Sequence, residues 1–505
     1  MRPVAGEEAI RIRLVRGSYF GLLGTIVTVL GNFASSVILA RFLGSDGLGT
    51  FGLYIVLGAV LIPLLSLSVP SAVTRFVAKL RTDDPGRLPL ILSTSVVLLS
   101  VVGAFGTVFT VFVVAPLAGN VYGDPANLVP MIQIMGLLLW ANLMSLFATA
   151  VLQGFEEFQS ANLIGAFSVL ANVSLLLLLV PRLGLIGAVG ATAGSVIVSA
   201  GGAMVASRQA VRRRGLVWRW RASWSEARTL MAFVGPLNAA SILTRIAVLV
   251  QNSMIAVFVG FAQLGLLRVA GFFYNSILFL PRTLIAPMLP ILASMAETRV
   301  PERRREIVTQ LVKILVLLFV PLSSGLIMGL RFAIELFYGV EFGPAYWFGV
   351  VLIASAMAAI PNGILGEQYL IAMGRTTTAM VITLLSVGIS LTSFILLLPP
   401  YGAFALPLAA FITESSLFAL LAFWLGRRRE LATPHLIPAI VFASLSTVLA
   451  ALVGLLAAPI VGLALGMASL ATLAAVAYFV FMSAEERRLL MSAVRRRKPS
   501  VDPPG

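Results

Sequence analysis

The 505-residue chain contains no cysteine and a single histidine, His435. These absences exclude disulfides, thiol chemistry, haem ligation and the usual zinc sites, because the lone histidine lies beside a predicted cytoplasmic loop and has no second ligand near it. No nucleophile and base pair, phosphate-binding loop or glycine-rich nucleotide motif is present either. We therefore predict no enzymatic activity and no cofactor or metal.

Charged residues are also scarce. They make up 11% of the chain, whereas hydrophobic residues make up 59% and the mean hydropathy is +1.02. A soluble domain would need a far more polar surface. The apolar residues stand in continuous runs, each long enough to cross a bilayer as a helix, whereas membrane strands would show short alternating patterns. The sequence thus predicts an all-α, polytopic membrane protein.

Fourteen such runs are predicted as transmembrane spans: 17–43, 47–69, 88–115, 127–152, 158–180, 183–206, 230–259, 264–290, 308–330, 344–372, 377–398, 402–425, 436–457 and 459–482. The loops between them are mostly short, and none is long enough to fold into a catalytic domain. Transport is therefore the predicted class of function.

The 36 Lys and Arg residues are distributed unevenly among the loops. Most lie in the two termini and in the loops after even-numbered spans, whereas the opposite loops hold only Arg41, Arg182 and Arg331. By the positive-inside rule, both termini are cytoplasmic and the protein lies in the cytoplasmic membrane. Topology control then explains the net charge of +16 without a nucleic-acid partner. Binding of anionic lipid heads by Arg212 to Arg214 is the alternative.

Turn residues recur at a nearly constant offset, which predicts an internal repeat. Phe42-Leu43-Gly44 and Leu48-Gly49 recur as Phe258-Val259-Gly260 and Leu264-Gly265, Asn142 and Gly154 as Asn362 and Gly374, and Pro181 and Gly184 as Pro399 and Gly402. Convergent turn chemistry is the alternative explanation. Six spans per repeat give both halves the same orientation. We predict a first lobe at 1–206, a basic cytoplasmic linker at 207–229, a second lobe at 230–425, and two extra helices with a basic tail at 426–505.

Three segments resemble the polysaccharide flippases of the multidrug/oligosaccharidyl-lipid/polysaccharide exporter superfamily: ILARFLGSDGLGTFGLY at 38–54, VPSAVTRFVAKL at 69–80 and LQGFEEFQSANLIG at 152–165. The resemblance implies a V-shaped pair of six-helix lobes around a central cavity. It also implies that the protein moves a polyprenyl-diphosphate-linked oligosaccharide from the cytoplasmic to the outer leaflet. Fourteen spans suit the lipid II flippase branch, whose last two helices form a groove for the lipid tail. Drug-extruding relatives often carry a membrane carboxylate in the first lobe, and the first six spans here have none.

Polar residues on single helix faces predict a polar cavity between the lobes. Span one carries Ser18, Gly21, Thr25, Thr28, Asn32 and Ser35, and span seven carries Asn238, Ser241, Arg245 and Asn252. Close helix packing is the alternative for the small residues, but Asn and Arg do not suit a tight, dry contact. We take Asn32, Asn142, Arg245, Asn252 and Asn362 as candidate substrate-binding residues.

Span eight carries Arg268, Asn275 and Arg282 at intervals of seven residues, hence on one face. An arginine at membrane depth is costly unless it lines water or meets a partner. The planar guanidinium suits a diphosphate. We therefore predict that Arg245, Arg268 and Arg282, with Asn275, bind an anionic headgroup. Pairing with a membrane carboxylate, or snorkelling to the interface, is the alternative.

Glu367 and Glu414 are the carboxylates that we place well inside spans, in spans ten and twelve. Each could bind a coupling proton or cation and release it as the cavity changes face, or could neutralise nearby arginines. Neither is a candidate catalytic acid, because no second positioned group accompanies it.

Two other segments allow two interpretations each. The segment Ser71 to Leu80 mixes apolar and basic residues, which is typical of an interfacial helix on the cytoplasmic face, and an extension of span two at the headgroups is favoured over a partner-binding site. Spans thirteen and fourteen contain Gly454, Gly462 and Gly466 and hardly any polar residues. They could cradle a lipid chain or simply pack on the second lobe.

The favoured function is flipping of a lipid-linked glycan by rocking of the two lobes about a fixed polar site. A cation-coupled exporter of amphipathic small molecules is the alternative within transport. A membrane glycan polymerase or ligase is the alternative from another class, although it would need a substantial outer loop with catalytic polar residues. The expected partners are the lipid-linked glycan and the bilayer, and an association with polysaccharide-assembly glycosyltransferases is left open.

Overall fold

A computed structural model describes residues 5–216, 222–285 and 301–482. The side chains of 5–23, 25, 125, 232–241, 280, 282–285, 301, 367 and 481 lie outside that description. The described residues form helices and turns without a strand. The helices are α1 Ala5–Ser66, α2 Val69–Asp83, α3 Leu88–Phe109, α4 Ala115–Tyr122, α5 Pro125–Gly154, α6 Phe158–Arg213, α7 Trp224–Phe258, α8 Phe261–Ile285, α9 Pro301–Phe337, α10 Ala345–Asn362, α11 Thr376–Tyr401, α12 Ala405–Arg427, α13 Ile437–Leu456 and α14 Pro459–Val476. Segments of π-helix extend α3, α10 and α14, at Thr110–Val114, Gly363–Tyr369 and Ala477–Phe481.

The predicted spans coincide with these helices, which confirms the polytopic all-α fold. Within the described residues, nine helical stretches are long and apolar enough to cross a membrane. Three of them, Ile26–Ser66, Phe158–Arg213 and Thr376–Arg427, each contain two predicted spans. The paired spans join at Gly44, Gly184 and Gly402, which have φ of 67°, 55° and 55°. Glycine alone adopts such angles without steric cost, so it permits a sharp change of direction in a short connection.

The backbone confirms the repeat. Residues with left-handed φ occur in pairs 214 to 218 residues apart: Gly44 with Gly260, Gly123 with Gly339, Glu156 with Gly374, Gly184 with Gly402, and Gly215 with Arg429. Gly184 and Gly402 also agree in ψ, at −130° and −132°. Five paired turns in the same order show that the two halves share one fold. Convergent turn chemistry is a weaker explanation for five such pairs in one order among the described residues.

One predicted correspondence is wrong. Gly374 corresponds to Glu156, not to Gly154, because the turns around them have the same backbone hydrogen bonds. The amides of Glu157 and Arg375 donate to the carbonyls five residues before them, those of Leu152 and Leu370. The offset there is therefore 218 rather than 220, and Asn142 and Asn362 are two residues out of register. Pairing glycine with glycine gave the wrong correspondence, because the left-handed position in the first half is occupied by Glu156 and not by a glycine.

The chain divides into two compact units, Met1–Gly265 and Leu266–Gly505. The core of the first is built from α2, α3, α5 and the end of α6. The predicted amphipathic helix at 71–80 is present as part of α2, and two consecutive left-handed residues, Leu67 and Ser68, separate it from α1. Its apolar residues Val69, Val73 and Val77 are fully buried in this core. Helix α2 thus uses its apolar face to pack on the bundle, which differs from the extension of span two that we predicted.

In the second unit, α13 and α14 pack on α9 through glycines. A Cβ at Gly462 would lie 2.6 Å from the carbonyl oxygen of Met328, and one at Gly466 would lie 2.6 Å from that of Gly325. Gly454 lies in the same way against the hydroxyl of Tyr346. Gly462 and Gly466 therefore allow close backbone contact between α14 and α9, which supports packing on the second lobe, one of the two interpretations.

Candidate functional site

Helix α7 belongs to the first compact unit, where it packs against α1, α2 and α3. Glu226, in its first turn, is buried and accepts hydrogen bonds from Nε and Nη2 of Arg87, at 2.6 and 3.0 Å. This contact raises the pKa of the Arg87 guanidinium above its ordinary value. One turn earlier, the amide of Ser223 donates to Oγ1 of Thr94 at 3.0 Å. The start of α7 is therefore tied to the loop before α3 and to α3 itself.

The other end of α7 is tied to the same unit. The hydroxyl oxygens of Tyr122, at the end of α4, and Ser253 lie 2.6 Å apart. Between these two ties, Nη1 of Arg245 donates to the carbonyl of Ala59 on α1, at 3.1 Å. The Arg245 side chain is otherwise exposed. One guanidinium N–H thus holds the arginine against α1, and the remaining N–H groups of the guanidinium can donate to a ligand.

The other predicted residues of the first unit are distributed differently. Asn32 is exposed on α1. Asn142 and Asn252 donate to carbonyls one turn earlier in their own helices, those of Leu138 and Val248. In the span-one stripe, Ser35 donates to Oδ1 of Asn172 on α6 at 3.1 Å, so helix packing accounts for this residue. Ser18, Thr25, Asn238 and Ser241 lie outside the described side chains.

The predicted arginine track is divided between the two units. Arg245 lies in the first, whereas Arg268 and Asn275 lie on α8 in the second. Arg268 is partly buried, and Asn275 donates to the carbonyl of Gly271 at 2.8 Å on an exposed face. The backbone of Arg282 continues α8, but its side chain lies outside the described residues. The joint action of the three arginines stays a prediction.

The second unit brings together two residues that the sequence analysis treated separately. Nδ2 of Asn362 donates to Oε2 of Glu414 at 2.7 Å and to the Glu414 carbonyl at 2.8 Å. Within the described part of the chain, Oδ1 of Asn362 is buried and has no hydrogen-bond partner. The π-helical segment that follows Asn362 contains Glu367, whose side chain is not described. Such segments are often found at functional sites.

Sequence reasoning missed the ionic contacts of Glu226 and Glu430. Nη1 and Nη2 of Arg375 donate to Glu430 at 2.9 and 2.7 Å, and the Tyr369 hydroxyl donates to the same carboxylate at 2.9 Å. Both glutamates lie next to blocks of arginine in the sequence. The topology prediction counted only Lys and Arg, so it assigned no role to either glutamate. Their arginine partners become visible only in the folded structure.

Comparison with known proteins identifies the family. The family model described as polysaccharide biosynthesis protein matches residues 14–295. No curated protein gives a significant match. The solved structure of the lipid II flippase MurJ, in an inward closed conformation, is 16% identical with a TM-score of 0.71, over 91% of this chain and 98% of its own.

Transporters of the multidrug resistance MATE family, in the MOP superfamily, share the fold as well. An inward-facing structure is 14% identical with a TM-score of 0.64, over 80% of this chain and 94% of its own. An outward-facing structure is 15% identical with a TM-score of 0.58, over 82% of this chain and 95% of its own. At these identities the solved structures establish the fold alone. Because the family model covers more than half of the sequence, the chain belongs to the polysaccharide biosynthesis protein family.

Proposed function

We propose that this protein flips a polyprenyl-diphosphate-linked oligosaccharide, or a similar polysaccharide precursor, across the cytoplasmic membrane by alternating access. The observation that carries the proposal is the family match over 14–295, in a chain whose fold is that of the lipid II flippase. The energetic task of such a protein is to shield a charged, hydrated headgroup from hydrocarbon, so a polar path between two lobes is sufficient and no covalent step is needed. The protein is then a transporter and not an enzyme.

Arg245 is the strongest candidate for contact with the diphosphate. The hydrogen bond from Nη1 to the Ala59 carbonyl holds the guanidinium in place. Its other N–H groups can form charge-assisted hydrogen bonds with phosphate oxygens. Arg268, Arg282 and Asn275 extend this role along span eight. Asn32, Asn142, Asn252 and Asn362 are proposed as contacts to the polar headgroup, with Asn32 favoured among them because it is exposed.

The Asn362–Glu414 pair is the proposed coupling site. The amide donates to the carboxylate, while the buried Oδ1 of Asn362 still lacks a donor. A proton on Glu414, or a small cation held between carboxylate and amide oxygens, would complete this arrangement. The same pair favours the second candidate function, cation-coupled export of amphipathic molecules, which the fold shared with MATE transporters also accommodates.

Flipping by the purified chain in proteoliposomes tests the proposal. The substrate is a fluorescent polyprenyl-diphosphate oligosaccharide, and the readout is its accessibility to an impermeant quencher. We expect wild type to flip it, Arg245→Gln to reduce the rate about tenfold, and the exposed control Arg182→Gln to match wild type. Uptake of amphipathic cations without flipping would favour the exporter. Formation of longer glycans by the protein alone would show an enzyme instead.

A further inference from the structure

The cytoplasmic turn after predicted span four has a counterpart after span ten. The two turns, at Phe155–Glu157 and Met373–Arg375, form the same backbone hydrogen bonds. Each is also clamped by an ion pair to the end of the last span of its repeat. Glu157 pairs with Arg214 at 3.0 Å, and Arg375 pairs with Glu430 at 2.7 Å. The clamp is thus conserved between the repeats, with the charges exchanged.

In the first of these clusters each paired arginine has its own carboxylate. Arg81 pairs with Glu156, and Arg214 pairs with Glu157. Further guanidinium N–H groups of Arg214 donate to the carbonyls of Ala210 and Phe155, at 2.9 and 3.3 Å. Its carbon Cζ also lies 4.2 Å from the centre of the Phe155 ring. Two arginines therefore meet two carboxylates in separate ion pairs.

The second cluster has a surplus of positive charge. Its carboxylate, Glu430, already accepts from both Arg375 and Tyr369. Burial raises the pKa of Glu430, but those hydrogen bonds and the nearby charge of Arg304 lower it overall. The Cζ atom of Arg428 lies 4.4 Å from the centre of the Trp424 ring, and Cζ of Arg375 lies 5.7 Å from the same centre. Arg375 and Arg304 thus act on one carboxylate, and Arg428 lies with Arg375 against the neighbouring Trp424 ring.

The start of α9 shows where an acceptor is missing. The Nε atoms of Arg304 and Arg305 are buried and have no hydrogen-bond partner among the described residues. The carboxylates of the same helix turn, Glu302 and Glu306, are exposed to solvent. An N–H group removed from water and left without an acceptor is unfavourable, so the carboxylates of this turn do not satisfy its arginines.

We propose that Arg304, Arg375 and Arg428 form a binding site for the phosphate of an anionic phospholipid in the cytoplasmic leaflet. The guanidinium fork matches phosphate oxygens in a bidentate geometry. Trp424 places an aromatic ring beside the site, as is common at the membrane interface. The negative surface potential of this leaflet adds attraction for each arginine. Binding at this site does not depend on the identity of the transported substrate.

Lipid binding to the purified full-length chain in neutral detergent tests this site. Dioleoylphosphatidylglycerol is compared with dioleoylphosphatidylcholine by native mass spectrometry and by the shift of the unfolding temperature. We expect wild type to prefer the anionic lipid, and the double variant Arg304→Gln with Arg428→Gln to lose about tenfold in affinity for it. This variant keeps the Arg375–Glu430 clamp. The control, Arg212→Gln with Arg213→Gln, removes the same charge from the corresponding helix end of the first repeat and should bind like wild type.

A milder variant separates a lost site from a misfolded chain. Arg304→Lys keeps the charge without the fork, so it should fold normally and retain part of the preference. The proposal is wrong if the double variant, with a wild-type unfolding temperature in phosphatidylcholine, still binds phosphatidylglycerol as wild type does. It is also wrong if inorganic phosphate at equal concentration gives the same stabilisation, or if the control loses as much affinity as the double variant.

Discussion

Gly49 and Gly265 form a reciprocal contact between α1 and α8. A Cβ at Gly49 would lie 1.9 Å from the carbonyl oxygen of Phe261, and one at Gly265 would lie 2.0 Å from that of Ser45. The same offset of 216 relates Gly49 to Gly265 and Ser45 to Phe261. The contact is therefore symmetrical under the internal repeat, and glycine at both positions allows the two backbones to touch.

This contact predicts an effect of a single methyl group. Gly49→Ala and Gly265→Ala should each weaken it by about 1–3 kcal/mol, because the clash is with backbone that cannot rotate away. If the contact closes the outer side during transport, both variants should flip substrate more slowly and crosslink less between cysteines at Ser45 and Phe261. Gly201→Ala is the control, since a Cβ there meets no atom within 4 Å. Unchanged crosslinking in both variants would contradict the proposed role.

The Arg87–Glu226 pair predicts unequal effects for its two partners. The Glu226 side chain is 6% exposed and that of Arg87 is 44% exposed. Arg87→Gln leaves a buried carboxylate without its cation and should cost about 2–3 kcal/mol. Glu226→Gln leaves an arginine that can reach water and should cost under about 1 kcal/mol. Unfolding temperatures of the single and double variants measure the difference, and equal losses would show that burial does not govern this pair.

Acid should weaken the clamp at Glu430. Its folded pKa lies below the ordinary value of 4.5. The ionised carboxylate therefore stabilises the fold above that value, and this contribution is lost as the pH falls through the folded pKa. Glu430→Gln should lower the stability at pH 7 by about 1–3 kcal/mol and flatten the acid dependence. Unfolding temperatures between pH 3 and pH 7 measure both effects, with the exposed Glu341→Gln as control. Parallel pH curves for wild type and Glu430→Gln would refute the assignment.

The fold could be predicted largely from the sequence, because each span must satisfy its own backbone in hydrocarbon and so appears as a long apolar run. The glycines at Gly44, Gly184 and their counterparts also marked the repeat, since their conformation excludes most other residues. The candidate site was less predictable. Asn362 and Glu414 lie in different spans, and only packing shows that they meet. Glu226 is a single acidic residue among basic loop residues, so charge counting concealed its contact with Arg87.

Membrane orientation gives a prediction that a cysteine-free chain makes easy to test. Both termini and the loop at 207–229 should be cytoplasmic, because they carry the largest blocks of arginine. The loop is shorter than predicted, as α6 ends at Arg213 and α7 begins at Trp224. Ser225 is exposed near the start of α7. Ser225→Cys should react with an impermeant maleimide only after the cells are permeabilised. Labelling in intact cells would reverse the proposed topology.

Alternating access predicts that the outer ends of α1 and α7 separate once per transport cycle. Leu39 on α1 and Ala256 on α7 are both buried, each 6% exposed, near the turns at Gly44 and Gly260 that we predict to lie on the outer side. We expect a Leu39→Cys, Ala256→Cys pair to crosslink while the outer side is closed and to separate when it opens.

Rocking of residues 17–206 against 230–425 requires this separation, so a disulfide or short bifunctional crosslink should stop flipping, and reduction of the disulfide should restore it. Each single-cysteine variant is the control for modification alone and should remain active under the same oxidant. A pair that crosslinks nearly completely while transport continues at the wild-type rate would rule out the rocking mechanism, because the substrate would then cross without any opening between α1 and α7.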